Sequence, residues 1–196
     1  MKLDVLTPNI VRIAYHQESG DPHYGSCLWA YYDFDLDRYM LNIQSDCGNA
    51  AYRWVETPGG ESFLHLMARC DDGYMMMKLF GTPELVDKDA TVDEVRERLG
   101  IGNEEDYMLD LDEDERQKRE DAIQELSDTM DEYGGISQDA ADAILTEWAN
   151  DNDMDIDCIW ECVATDYSVL QYRIVQIFKD HIQPKIRELL KDGESK

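Results

Sequence analysis

Between residues 28 and 55 apolar and polar side chains alternate: Tyr32 and Phe34 interleave with Asp33 and Asp35, and Tyr39, Leu41 and Ile43 with Met40 and Asn42. A period of two puts every second side chain on one side of an extended backbone, so the stretch predicts strands with one buried face. The expected strands lie near Leu28–Phe34, Tyr39–Gln44 and Ala50–Val55, with turns at Asp35-Leu36-Asp37-Arg38 and Asp46-Cys47-Gly48-Asn49. Connections this short make neighbouring strands antiparallel. Residues 9–16 (NIVRIAYH) have the β-branched and aromatic content of a further strand, followed by the loop sequence SGDPHYGS.

After Thr57-Pro58-Gly59-Gly60 the period lengthens. Phe63, Leu64, Leu66, Met67, Cys70 and then Met75 to Phe80 fit a helix packed on the sheet, with Asp71-Asp72-Gly73 as an interruption. Thr91 is the expected N-cap of VDEVRERLG, with Glu94 completing a capping box and Gly100 as the stop. From about Asp112 the chain reads as helical. Ala122, Ile123, Leu126, Met130 and Tyr133 form an apolar stripe, opposite an acidic one of Asp121, Glu125, Asp128 and Glu132. Gly134-Gly135 ends that helix, and Ser137 caps the next, which turns Ala141, Ile144, Leu145 and Trp148 inward. A polar break, DNDMDID, precedes one or two helices from Ile156 to about Leu190. Their expected core is Val169, Leu170, Ile174, Ile177, Phe178 and Ile182, with a kink or break at Pro184. The fold class expected is α+β: an N-terminal antiparallel sheet with a packed helix (about 1–83), then a helical C-terminal part (about 84–196). No linker-like composition separates them, so one compact body is expected.

Charge sharpens this division. The chain has 44 acidic and 18 basic residues, a net charge of -26. Residues 84–161 alone hold 28 acidic and 6 basic side chains, and no Lys or Arg occurs between Glu120 and Tyr172. Like charge at this density opposes compaction. The plain explanation is solubility or an acidic, partly disordered segment; the alternative is a surface that meets a strongly basic partner. With 43% hydrophobic residues, 4 Trp and 11 Tyr, the chain has enough apolar material for a real core. No signal peptide and no apolar run long enough to cross a bilayer is visible. The expectation is a cytoplasmic protein that binds neither membranes nor nucleic acid directly, since both carry its own sign of charge.

Chemistry is sparse. Asp33, Asp35 and Asp37 begin like a calcium loop, but Arg38 stands where glycine is needed and Gln44 where the bidentate glutamate is needed. The series Asp151, Asp153, Asp155, Asp157 fails in the same way at Ile156 and Cys162. The five cysteines form no CxxC pair; Cys158 and Cys162 would share a face if helical, and His16, His23 and Cys27 are the remaining local grouping for zinc. No phosphate-binding loop, nucleophile elbow or zinc-protease motif occurs. No catalytic residue, cofactor or metal is therefore assigned.

The acidic residues fit a different role. Carboxylates at i, i+3, i+4 and i+7 lie about 5–6 Å apart on one helix face, comparable with phosphates repeating at roughly 3.4 Å along each strand of a duplex. The candidate partner-binding residues are Asp121, Glu125, Asp128, Glu132, Asp139, Asp142, Asp151, Asp153, Asp155 and Asp157. Residues 32–80 (YDFDLDRYMLNIQSDCGNAAYRWVETPGGESFLHLMARCDDGYMMMKLF) resemble a segment of uncharacterised phage and prophage proteins of Gram-positive bacteria. Small acidic phage proteins resemble anti-CRISPR and anti-restriction inhibitors, and the resemblance implies an inhibitor that occupies the basic channel of a nuclease such as Cas9, with or without its guide RNA. The alternatives are an enzyme or metal-dependent accessory protein working through the N-terminal part, or a protein–protein adaptor using its aromatic sheet.

Overall fold

Strands β1 (Ile10–His16), β2 (Trp29–Asp35), β3 (Met40–Ser45) and β4 (Gly48–Arg53) form a four-stranded antiparallel sheet in the order β1-β2-β3-β4. The computed structural model describes residues 7–21, 24–101, 111–132 and 136–194, without the side chains of 132, 193 and 194. Tyr133, Gly134-Gly135, His23 and the side chain of Glu132 thus lie outside the described residues. The alternation in β2 and β3 does select a buried face: Tyr32, Phe34, Leu41 and Ile43 have no exposed surface. Asp33 and Asp35, on the other side of β2, are also buried. Arg12 of β1 covers Asp33 through Nε–Oδ1 and Nη2–Oδ2 contacts of 2.6 Å. Asp35 accepts the backbone N–H groups of Asp37 and Arg38. The carboxylate thus organises the β2–β3 turn in place of a calcium loop.

The chain forms two compact units, residues 1–82 with 168–196, and residues 83–167. The first, the sheet unit, adds α1 (Phe63–Arg69), α2 (Asp72–Phe80), α6 (Val169–Ile177) and α7 (Gln183–Glu194) to the four strands. Asp71 caps α2 by accepting the N–H of Tyr74 at 2.8 Å, so the expected interruption is the start of a second helix. Tyr32, buried under α6, donates its hydroxyl to the Ile174 carbonyl at 2.8 Å.

The second, acidic unit contains β5 (Leu85–Val86), α3 (Lys88–Arg98), α4 (Glu113–Glu132), α5 (Gln138–Asp151), a 3₁₀ turn at Ile159–Cys162 and β6 (Thr165–Asp166). The short strands β5 and β6 pair antiparallel. Its core joins Val92, Val95 and Leu99 of α3, Ala122, Ile123, Leu126 and Met130 of α4, and Ala141, Leu145 and Trp148 of α5. Buried Trp148 donates its indole N–H to the Ala122 carbonyl at 2.8 Å.

Several expectations are corrected. The N-cap of α3 is Asp87, which accepts the N–H of Ala90. Thr91 is fully buried within the helix, where its hydroxyl donates to the Asp87 carbonyl and accepts the N–H of Ala164. No helix spans 156–168: Cys158 has φ +55, so it does not share a helical face with Cys162, and β6 follows. Ser168 forms a complete capping box with Gln171. This start puts Val169 and Leu170 in the first turn of α6, 83% and 51% exposed and outside the core. Pro184 does not break the helix. The π-helical turn Phe178–Ile182 lies just before it and carries α6 into α7, so the irregularity expected at the proline takes the form of a widened turn that accommodates its ring and missing N–H.

Candidate partner-binding surface

Residues 83–167 contain 29 acidic and 6 basic side chains. The apolar residues of α4 recur at three- and four-residue steps, so its acids are forced to the other side. Asp121, Glu125 and Asp128 are exposed while Ala122, Ile123, Leu126 and Met130 are buried. Gln117 and Gln124, each four residues upstream, donate to Asp121 and Asp128 at 2.8 Å and orient those carboxylates along the helix. On α5, Asp139 is exposed in the first turn, where the helix N-terminus favours negative charge. Asp142 is half-buried and Asp151 exposed.

The stretch after α5 is an irregular ribbon: Asp151 ends the helix, Asn152 and Asp153 turn with Asp153 at φ +53, and a second turn begins at Asp157. Asp151, Asp153, Asp155 and Asp157 are exposed, whereas Asn152, Met154, Ile156 and Cys158 between them are half-buried. Met154 and Ile156 pack against the unit's core. This alternation anchors the ribbon on its apolar side and aims a row of carboxylates outward.

Four of the unit's six basic residues, Lys88, Arg96, Arg98 and Arg119, pair elsewhere, Lys88 with Asp131 at 3.9 Å. Arg96 pairs with Glu120 at 2.7 Å, Arg119 with Glu115 at 2.9 Å, and Arg98 with Glu94 and Glu161 at 3.2 and 3.3 Å. Arg98 also donates to the Asp157 carbonyl at 3.1 Å. Its guanidinium is held above its ordinary pKa, chiefly by the hydrogen bond to Glu94. Among the described residues, no ion pair reaches Asp121, Glu125, Asp128, Asp139, Asp142, Asp151, Asp153, Asp155 or Asp157.

Between α4 and α5 the surface dips into a groove of about 240 Å³ lined by Glu125, Thr129, Ile144, Glu147, Trp148 and Asp151. The structure thus brings Glu125 and Asp151, expected from the sequence, to one place. Glu147 joins them and was missed, although its signal was available: it lies four residues before Asp151 on the same helix face. These carboxylates do not converge as a metal site would. Among the described residues, the one group of three metal-competent side chains within 4.8 Å of one another is Cys27, Asp46 and Cys47, in the sheet unit. An acidic groove beside an indole, too open to chelate a bare ion, suits the long cationic side chain of Arg or Lys.

Of the local grouping His16, His23 and Cys27, His23 lies outside the described residues, His16 packs edge-on to Tyr31 at 5.9 Å between ring centres, and Cys27 meets Asp46 and Cys47. Burial first, then Cys47 and Asp46, push the Cys27 thiol far above its ordinary value. That argues against a thiolate nucleophile at neutral pH. The sheet unit also carries an apolar groove of about 520 Å³, walled by Val169, Leu170, Tyr172 and Arg173 of α6 and by Gly25 and Ser26.

A family model of phage proteins, Phage_phiTE_072, matches residues 10–188, a span that takes in both units. The chain belongs to this phage family. The phage origin to which residues 32–80 point is thereby borne out. No curated protein and no solved structure matches the chain. Among the described residues, no helix is long and apolar enough to cross a membrane.

Proposed function

We propose that this phage protein binds a basic, nucleic-acid-handling host protein through its acidic unit, occupying the channel that otherwise holds nucleic acid. The observation that carries this reading is the absence of ion pairs, among the described residues, along the exposed carboxylates of α4, α5 and the 151–157 ribbon. A fold that needed these charges only for solubility would gain by interspersing Lys and Arg, since unrelieved repulsion destabilises the compact state. A basic channel supplies the missing countercharge and is steered toward the surface from a distance. The first target class to test is a CRISPR nuclease such as Cas9, with or without guide RNA. Size, charge and membership of a phage family support that choice, and an inhibitor of restriction nucleases follows from the same physics.

The test is direct. Purified protein is titrated against Cas9 and restriction nucleases at low salt, with fluorescent target DNA as competitor. Displacement of DNA, weakening steeply as salt rises, is the expected result. Binding that leaves DNA in place, or that does not respond to salt, sinks the mimicry reading.

A further inference from the structure

Cys27 enters β2, and Asp46 and Cys47 form the tight turn between β3 and β4, where Ser45 pairs with Gly48. Two features hold this turn in place. Gly48 has φ +131, a backbone region that L side chains rarely adopt, and a Cβ there would lie 3.6 Å from Ile174 of α6. Asp46, meanwhile, is tied to the start of β2: its carboxylate accepts the N–H of Leu28 at 2.9 Å and of Trp29 at 3.4 Å. These bonds, with the Cys27 thiol, keep the Asp46 carboxyl below its ordinary value despite the opposing effect of burial.

The Cys27 sulfur lies 3.3 Å from Asp46 Oδ1. Both sulfurs and a carboxylate oxygen fall within 4.8 Å of one another. Around a tetrahedral zinc with Zn–S of about 2.3 Å, sulfurs sit roughly 3.8 Å apart and sulfur to oxygen roughly 3.5 Å. The Cys27 sulfur and the Asp46 oxygen already stand close to that spacing, and the Cys47 sulfur, within 4.8 Å of both, has to approach by no more than about 1 Å. The thiols are 1% and 5% exposed, whereas Asp46 faces solvent. Ser45 Oγ lies 3.3 Å from the Cys47 sulfur and donates to the Gly48 carbonyl, an outer contact of the kind that orients a ligand.

We propose that Cys27, Asp46 and Cys47 form a binding site for a thiophilic metal ion, zinc by its donor set, with the fourth coordination position open on the Asp46 side. Two thiolates and a carboxylate select zinc over calcium or magnesium, which take oxygen ligands. Binding releases the two thiol protons to solvent, and no oxidant takes part. The fourth position is taken by water or by a donor atom of a bound molecule. The site lies in the sheet unit and uses nothing of the acidic surface, so its failure leaves the proposed function untouched.

Reduced, chelator-stripped full-length protein titrated with Co²⁺ tests this. One equivalent should bind with an intense thiolate-to-cobalt absorption that zinc abolishes. The acidic unit gathers cations chiefly through oxygen, and Cys158→Ser, which removes its half-buried thiol beside Asp157, should leave the band unchanged. Cys27→Ser and Cys47→Ser should remove the band. Asp46→Asn should weaken cobalt binding by at least about tenfold, the lower end of what loss of even an outer-shell partner costs. Cys70→Ser, a buried thiol that donates to the Leu66 carbonyl, should leave the band unchanged. If either cysteine variant fails to fold by circular dichroism, Asp46→Asn carries the test, because its amide oxygen still accepts from Leu28. Cobalt bound without the band, a band that survives both cysteine changes, or a Cys27–Cys47 disulfide in protein purified under reducing conditions overturns the proposal.

Discussion

Gln183 has no exposed surface, and its amide donates to the carbonyls of Met67 at 3.0 Å and Cys70 at 2.8 Å. Those oxygens belong to the end of α1, where a helix runs out of its own donors. Arg187, one turn further along α7, donates to Ala68 at 3.0 Å and to the Gln183 side-chain oxygen at 2.7 Å. Gln183→Leu strands buried carbonyls and should cost about 1–3 kcal/mol in urea unfolding, whereas Lys185→Ala, exposed nearby, should cost little. Tyr32 makes a second prediction. Burial first raises its phenol above the unfolded value of about 10. A group raised in this way contributes stability that is whole below about pH 10 and is lost as pH climbs toward the folded value. Spectrophotometric titration should therefore show a tyrosine that ionises only on alkaline unfolding, and Tyr32→Phe should delete it. Neither residue announces these roles in the sequence. Gln183 opens a helix rich in polar and charged residues, where one more polar side chain carries no signal, and its partners lie 113 and 116 residues away in the chain.

Elements were legible where the period was long and clean. The strands β1 to β4, the helix α4 and the cap Ser137 follow from alternation, from the stripe at 122–130 and from a hydroxyl before an apolar run. Reading failed where several residues compete for one job. Asp87 and Thr91 are both good caps, and burial drew Thr91 into the helix. Apolar Val169 and Leu170 match the helical stripe, but Ser168 fixes the helix start and turns them to solvent. The acidic face of α4 yields the central functional prediction. Asp121→Lys, Glu125→Lys and Asp128→Lys together, with or without Glu132→Lys, should leave circular dichroism unchanged, since exposed substitutions alter stability by about 0.5 kcal/mol each. Partner binding should fall mainly through slower association, and the difference from wild type should shrink as salt rises. Equal inhibition by the wild type and the reversed protein would move the binding surface to the sheet unit.

At the scale of the molecule, charge follows the two units. Residues 83–167 hold 29 of the 44 acidic side chains, while the rest of the chain is close to balanced. The shift in composition near residue 84 was legible; the return of 168–196 to the sheet unit was not. Membership of the sheet unit depends on pairings such as Tyr32 with Ile174, and a one-dimensional charge profile does not report these. A further prediction belongs here. Excising 83–167 and bridging Thr82 to Ser168 with a short Gly-Ser linker should yield a soluble protein with native-like strand signal and a sharply less negative charge, checked by circular dichroism and amide exchange. Aggregation of that protein would show that the sheet unit depends on the segment removed. The expectation rests on the antiparallel pairing of Leu85–Val86 with Thr165–Asp166, which sets the first and last residues of the acidic unit side by side. Neighbouring entry and exit points also bear on heredity. A recombination event that replaces everything between two short strands meets a framework already built to receive it, so a lineage of such genes can exchange one inserted unit for another without evolving a new sheet.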